Sequence, residues 1–316
     1  MLAVQFSENG EADVLQLVEL PMPQPGAGEV LLRVAAAGVN YADIWQRRGT
    51  GPRPVQLPYL PGYEVAGTIA AVGSGVTQAQ VGQRVMAMLA SGGYAEYVVA
   101  PAAQVIFLPA ELGDAQATAL LSQGPTAVGL LNTGTYASVL VLAAAGGIGS
   151  LLVQVAKNRG LRVIAAVGSE AKKAVAQASG ADVVVSYAEA NWVQQVRDAT
   201  DGLGVAASFD AIGGRVGAEA LQALGPGGTG VVYGAASGEP TILPAQQLIG
   251  QMQVVRGYTL FGEMAKIGSY IEELLGYFRA GKLQLPVQTY PIAEVQAAQR
   301  ALESRQTQGK VVLLFE

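Results

Sequence analysis

The sequence contains no cysteine and no histidine. Disulfides are therefore impossible, and so is a zinc site built from thiolates or imidazoles. A cysteine nucleophile, a Ser–His pair and an imidazole base are excluded on the same ground. Charge is scarce as well. Only 14% of residues are Asp, Glu, Lys or Arg, and the net charge of −5 argues against nucleic acid as a partner. No apolar run has the length needed to span a bilayer. The start Met1-Leu-Ala-Val4 is followed by neither the basic region nor the apolar core of a secretory signal. A cytoplasmic chain with no membrane partner is expected. Chemistry is left to carboxylates, Tyr, Lys, Arg, amides, backbone groups and a bound cofactor.

What the chain has is apolar residues, 51% of its 316, enough for about two domains. Residues 1–120 read as mostly β. Leu15–Leu20, Val30–Val34, Glu64–Val72, Val81–Met88 and Tyr94–Val99 are short strand-like runs between Gly and Pro turns, as in a compact barrel-like domain. Ala115 to Leu131 reads as helical. From a strand at 139–143 to one at 252–259, strands and helices then alternate, which predicts a doubly wound parallel sheet. A long helix at 263–280, a short strand near 287–290 and a helix near 293–303 follow. The last strand, Lys310–Phe315, has no place in the parallel sheet and is assigned back to the β domain. The expected organisation is α/β, with a β-rich domain of residues 1–122 plus 266–316 and an inserted parallel-sheet domain of residues 123–265.

The apolar run Val139–Ala145 breaks at Gly146-Gly147 and restarts with helical spacing at Leu151, Leu152, Val155 and Ala156. Strand, glycine turn and helix form the setting of a dinucleotide-binding motif, because free N–H groups at a helix start attract an anion. The first glycine of G-x-G-x-x-G is Ala144 here, and the six residues alone fit an ordinary strand–helix junction equally well. A second buried strand, Leu161–Val167, follows one helix later. An NAD enzyme carries an acid after that strand to accept the ribose hydroxyls. Here Gly168 and Ser169 leave room, Lys172 and Lys173 bring positive charge, and Glu170 is the only acid nearby. That arrangement favours NADP, whose 2′-phosphate a carboxylate would repel, although a solvated helix face would also carry two lysines.

Further motifs keep a common order. They are Ala37-Gly-Val-Asn-Tyr-Ala-Asp43, Pro61-Gly-Tyr-Glu-Val-Ala-Gly67, Val72-Gly-Ser-Gly-Val76, Val81-Gly-Gln-Arg-Val85, Gly93-Tyr-Ala-Glu-Tyr97 and Ala143-Ala-Ala-Gly-Gly-Ile-Gly149. Together they resemble the medium-chain dehydrogenase/reductase superfamily, and most of all its zinc-free, zeta-crystallin-like quinone oxidoreductase branch. The resemblance runs essentially end to end. It implies a GroES-like β-rich domain with an inserted Rossmann domain, NADPH as cofactor, and a homodimer. Zinc-dependent members carry Gly-His-Glu where this chain has Gly62-Tyr63-Glu64. They also have a Cys before the stretch matched by Gly38-Val39-Asn40. Tyr63 and Asn40 replace neither ligand.

Motif by motif, the resemblance implies that Gly146, Gly147 and Ile148 line the pyrophosphate. It places Gly168, Ser169 and Lys172 on the 2′-phosphate, with Tyr187 close by and Arg305 reaching the phosphates. Asn40 and Thr126 would stand beside the nicotinamide, and backbone at Gly234, Thr259, Leu260 and Phe261 would hold its ring and amide.

The residues themselves limit the chemistry. An acceptor oxygen that gains negative charge needs a nearby donor, and Asn40, Tyr41, Tyr63 and Gln123 are candidates. Each could also be a hydrogen-bonded wall residue, and only for Asn40 is the functional reading favoured. Trp45 and Tyr59 could supply an apolar wall for a flat ring. Three functions are consistent with these residues. They are reduction of a quinone, reduction of an activated double bond in an enal, enone or enoyl thioester, and NADPH binding with little turnover in a structural or sensing role.

Overall fold

The helical stretch from Ala115 to Leu131 is two helices, Asp114–Ala119 and Gln123–Leu131. Pro125 explains the restart. It lies in the first turn of the second helix, where a missing N–H costs no intrahelical bond. The break coincides with a division of the chain, a computed structural model of which describes residues 1–51 and 54–315. One compact unit is Met1–Ser122 together with the segment from Leu285 onward, and the other is Gln123–Gln284. The second boundary falls at Gln284/Leu285, later than the 265/266 expected. The helix Ile267–Arg279 packs against Gln123–Leu131 and buries Ile267, Tyr270, Ile271, Leu274 and Leu275, which keeps it in the second unit.

The first unit is built on a seven-stranded sheet. Its central strand, Glu29–Val39, pairs antiparallel with Glu64–Val72 on one side and with Lys310–Leu314 on the other. Lys310–Leu314 in turn pairs parallel with Val287–Pro291, so the C-terminal strand does return to the β-rich unit. Alternating residues such as Val30, Leu32, Val34, Val65, Ile69, Val311 and Leu313 fill one core.

The second unit carries a six-stranded, wholly parallel sheet. In spatial order its strands are Val183–Ser186, Arg162–Val167, Ser138–Leu142, Val205–Asp210, Leu224–Val232 and Val254–Gly257. Counted along the chain this is 3-2-1-4-5-6, the doubly wound arrangement, with the glycine-rich strand at its turning point. The strands at 139–141 and 163–166 are fully or almost fully buried, as continuous apolar runs covered on both faces require. Among the described residues no helix is long and apolar enough to cross a membrane.

Candidate active site

Parallel strands put all their carboxyl ends on one edge of the sheet, and that edge is where ligands bind in open α/β sheets. The segments following those ends are Ala143–Gly149, Gly168–Lys172, Tyr187, Gly234 and Thr259–Phe261. The structure therefore gathers most of the expected cofactor residues on one edge of the second unit. Thr126, also in this unit, is buried on Gln123–Leu131. Arg305 belongs to the first unit, exposed and in a left-handed turn just after the helix Val295–Glu303.

The glycine turn differs in detail from the expectation. Gly146 caps the helix Gly147–Asn158, but its N–H donates to Ala143 O at 2.8 Å and is spent inside the turn. No side chain caps the helix, so its first amides, at Gly147, Ile148 and Gly149, are left to meet an anion. The left-handed conformation the turn needs falls on Ala143, at φ 50°. Gly149 is required by packing, because a β-carbon there would overlap Ala143 O and lie 2.8 Å from Ala144 Cα. At Gly147 the space is taken by Gln123, whose carboxamide would overlap a β-carbon and whose Oε1 is buried without a partner. Gln123, expected as a donor to the acceptor, thus lies against the phosphate turn.

At the next strand end, Tyr187 packs on Gly168, where a β-carbon would stand 2.8 Å from the phenol oxygen. Ser169 is extended and leads into a short helical turn, Glu170–Lys172. Glu170 is ion-paired with Lys173 at 2.9 Å, and Lys173 also meets Glu189 at 3.2 Å. Lys173 is therefore engaged by these carboxylates, and Lys172 closes the same short turn. The edge suits a dinucleotide with a 2′-phosphate: uncapped amides at a helix start, no carboxylate at 168 or 169, and the nearby acid already paired.

In the first unit, Asn40 ends the central strand and begins the helix Tyr41–Arg48. Its backbone N–H donates to Asp43 Oδ2 at 2.8 Å, the reaching-back half of a capping box. Its side chain lies between two charges. Nδ2 donates to Glu64 Oε2 at 2.7 Å, and Oδ1 accepts from Lys310 Nζ at 2.7 Å. Lys310 and Glu64 are themselves ion-paired, and both are wholly buried. Tyr94 donates its O–H to Asp43 Oδ2 at 2.9 Å. Burial raises Asp43 to about 7, against the lowering influence of the bonds from Asn40 and Tyr94. Burial, reinforced by the negative charges of Glu64 and Asp43, holds the Tyr63 phenol well above its ordinary value, so Tyr63 keeps its proton. Tyr41 is half-buried, its ring edge-on to Trp45 with centroids 5.7 Å apart, and Tyr59 packs on Phe6.

Asp43, Glu64, Tyr94 and Lys310 were not among the expected site residues. A charge opening an otherwise apolar strand, as at Glu64 and Lys310, was the available signal. Among the described residues no group of three His, Cys, Asp or Glu is placed to hold a metal ion.

Comparison with known proteins extends over the whole chain. Residues 26–110 match the family model described as alcohol dehydrogenase GroES-like domain, and residues 147–275 match that of zinc-binding dehydrogenase. A probable quinone oxidoreductase of Schizosaccharomyces pombe is 35% identical, with 99% of this chain and 97% of that protein covered. A 2-haloacrylate reductase of Burkholderia sp is 33% identical, with 99% of each covered. The structure of Escherichia coli quinone oxidoreductase complexed with NADPH matches with a TM-score of 0.92 at 30% identity, covering 100% of both chains.

Proposed function

We propose a quinone as the hydride acceptor of this chain, which belongs to the zinc-free quinone oxidoreductase branch of the medium-chain dehydrogenase/reductase superfamily. The chain is an oxidoreductase and NADPH is its reductant. When bound, NADPH supplies the hydride, and the protein supplies position and electrostatics. Gly147 and Ile148 would hold the pyrophosphate through backbone N–H, and Ser169 and Lys172 the 2′-phosphate. Gln123 belongs to the phosphate turn in this reading.

One observation carries the choice of acceptor: the Asn40 carboxamide is held between Glu64 and Lys310 in a chain that has no Cys or His. Hydride addition to a simple ketone develops a localised alkoxide, which calls for a Lewis acid or a strong proton donor. Addition to a quinone gives a hydroquinone anion spread over an aromatic ring, for which a hydrogen-bond donor suffices. An amide nitrogen has two hydrogens. Asn40 gives one to Glu64 and the other serves the acceptor oxygen, with the Tyr63 phenol as a second donor. Trp45, edge-on to Tyr41, would supply an apolar wall, whereas Tyr59 is packed on Phe6.

A second acceptor class, the activated double bond, is favoured by the 33% identity to a 2-haloacrylate reductase. Its enolate is also delocalised and would use the same donor. NADPH oxidation with a quinone, an enone, a haloacrylate and no added acceptor tests the proposal. The quinone should turn over fastest. A quinone rate equal to the rate without acceptor would overturn it.

A homodimer is part of the same reading. Val254–Gly257 is the edge strand of the parallel sheet, and Ile249, Met252, Val254 and Phe261 around it are 52–80% exposed. An unpaired apolar edge invites pairing with a second copy.

A further inference from the structure

We infer that the buried Glu64–Lys310 ion pair is a positioning device that fixes which way the Asn40 carboxamide faces, an inference that rests on Asn40 being the donor proposed above. An asparagine amide turned by half a rotation exchanges its oxygen and nitrogen at almost no cost in shape. Here the exchange is forbidden by charge. Lys310 Nζ has only hydrogens to offer, so it can face only Oδ1. Glu64, as a carboxylate, can only accept, so it must face Nδ2. Both contacts are 2.7 Å. With the first amide hydrogen committed to Glu64, the direction of the second is set by the plane of the group. The Asn40 backbone is held independently by Asp43.

The ion pair is poorly explained as a source of stability. Glu64 and Lys310 are both 0% exposed, and Glu64 Oε1 is buried without a partner. A buried pair of this kind is often no better for folding than apolar residues of similar volume. It also dictates its neighbour. Glu64–Val72 and Lys310–Leu314 flank the central strand, and their register brings the pair over Gly38, two residues before Asn40. A β-carbon at Gly38 would overlap Glu64 Oε2 and stand 2.7 Å from Lys310 Cε. A glycine inside a central strand weakens it. A buried ion pair, an orphaned carboxylate oxygen and an interior glycine therefore converge on one amide.

The test is a mutant cycle. Glu64→Gln/Lys310→Gln replaces the ions with neutral amides, each able to donate and to accept, so the preference for one Asn40 orientation is lost. Glu64→Leu/Lys310→Met is the companion variant, lacking polar groups altogether, for use if the first does not fold by circular dichroism. Asn40→Ala is made in the wild-type chain and in the pair-less chain. Turnover with a quinone, KM, NADPH affinity by fluorescence titration and thermal unfolding are measured for all four. Asn40→Ala alone should lower kcat by about 10²-fold, as for loss of a donor to a developing oxyanion. The pair-less chain should lose about 10-fold, with NADPH affinity changed less than about 3-fold, and Asn40→Ala added to it should cost about 10-fold more instead of about 10²-fold, so that the combined loss matches that of Asn40→Ala alone. Equal losses from Asn40→Ala in both backgrounds would overturn the positioning role and leave the donor role standing. A pair-less chain with wild-type kcat would overturn it too. No effect of Asn40→Ala in the wild-type chain would overturn the donor role, and the positioning role with it.

Discussion

The carboxamide of Gln123 occupies the place where a side chain on Gly147 would have to be. Gly149, two residues on, is enclosed instead by backbone, Ala143 O and Ala144 Cα. The two glycines should therefore respond differently to a methyl group. At Gly147 the flexible end of Gln123 can move aside, and Gly147→Ala should cost less than about 1 kcal/mol. At Gly149 the strand and helix must separate, and Gly149→Ala should cost about 3 kcal/mol or more, the upper end of overpacking losses. Thermal unfolding of the two variants decides. Equal stabilities would mean that the turn is not packed as described.

Lys172 should decide between cofactors. Lys172→Glu is expected to weaken NADPH by about 1.5–3 kcal/mol, the worth of a charge-assisted bond, and to leave NADH almost unaffected. Lys173→Ala should change NADPH affinity little, because Lys173 already meets Glu170 and Glu189. Fluorescence titration with each cofactor checks both statements. Equal weakening of NADPH and NADH by Lys172→Glu would remove Lys172 from the phosphate site.

The parallel sheet was legible because Ser138–Leu142 and Arg162–Val167 are apolar runs that lead into glycine turns, and alternation with helices leaves few topologies. The place of Lys310–Leu314 followed by exclusion, and its pairing with Glu29–Val39 agrees. Two boundaries were missed. Gly124-Pro125 punctuates the Ala- and Leu-rich stretch and marks the helix restart, a signal that the overall composition outweighed. The helix Ile267–Arg279 shows an apolar face, but nothing in its sequence says which unit buries it. At the proposed site, single motifs pointed to Asn40 and the glycine turn, Asn40 through the family resemblance and the turn through its glycines. The Glu64–Lys310 pair could not be read in this way, since its members lie 246 positions apart and only the strand register brings them together. Asp43 and Tyr94 lay inside quoted motifs, but their role depends on burial.

Asp43 should make the chain less stable as pH rises. Well below pH 3.8 its carboxyl is protonated in folded and unfolded chains alike. The unfolded chain loses the proton near 3.8, whereas the folded chain, with Tyr94, Glu64 and Lys310 around the buried carboxyl, keeps it to about 7. In that window the folded state binds more protons, so its stability falls with rising pH and levels off above it. Asp43→Asn should flatten the fall. Denaturant unfolding at several pH values between 4 and 8 measures it, and an unchanged slope in the variant would assign the dependence to other groups.

The exposed edge at Val254–Gly257 should be the dimer contact. Val254→Lys places a charge on that edge and should shift the mass by light scattering from two copies to one at micromolar concentration. A wild-type chain that is already a monomer would contradict the proposal. So would a variant that stays dimeric.

Acceptor choice without a metal is what sets the chemistry of this chain apart from that of its zinc-dependent relatives. The decisive measurement compares kcat/KM for a small para-quinone with that for a saturated ketone, and with alcohol oxidation in the reverse direction, in one preparation after exhaustive chelation. Quinone reduction should survive chelation unchanged and exceed both others by at least about 10²-fold, the scale of what a missing Lewis acid costs a localised alkoxide. Loss of quinone reduction on chelation, or alcohol oxidation as fast as quinone reduction, would contradict it.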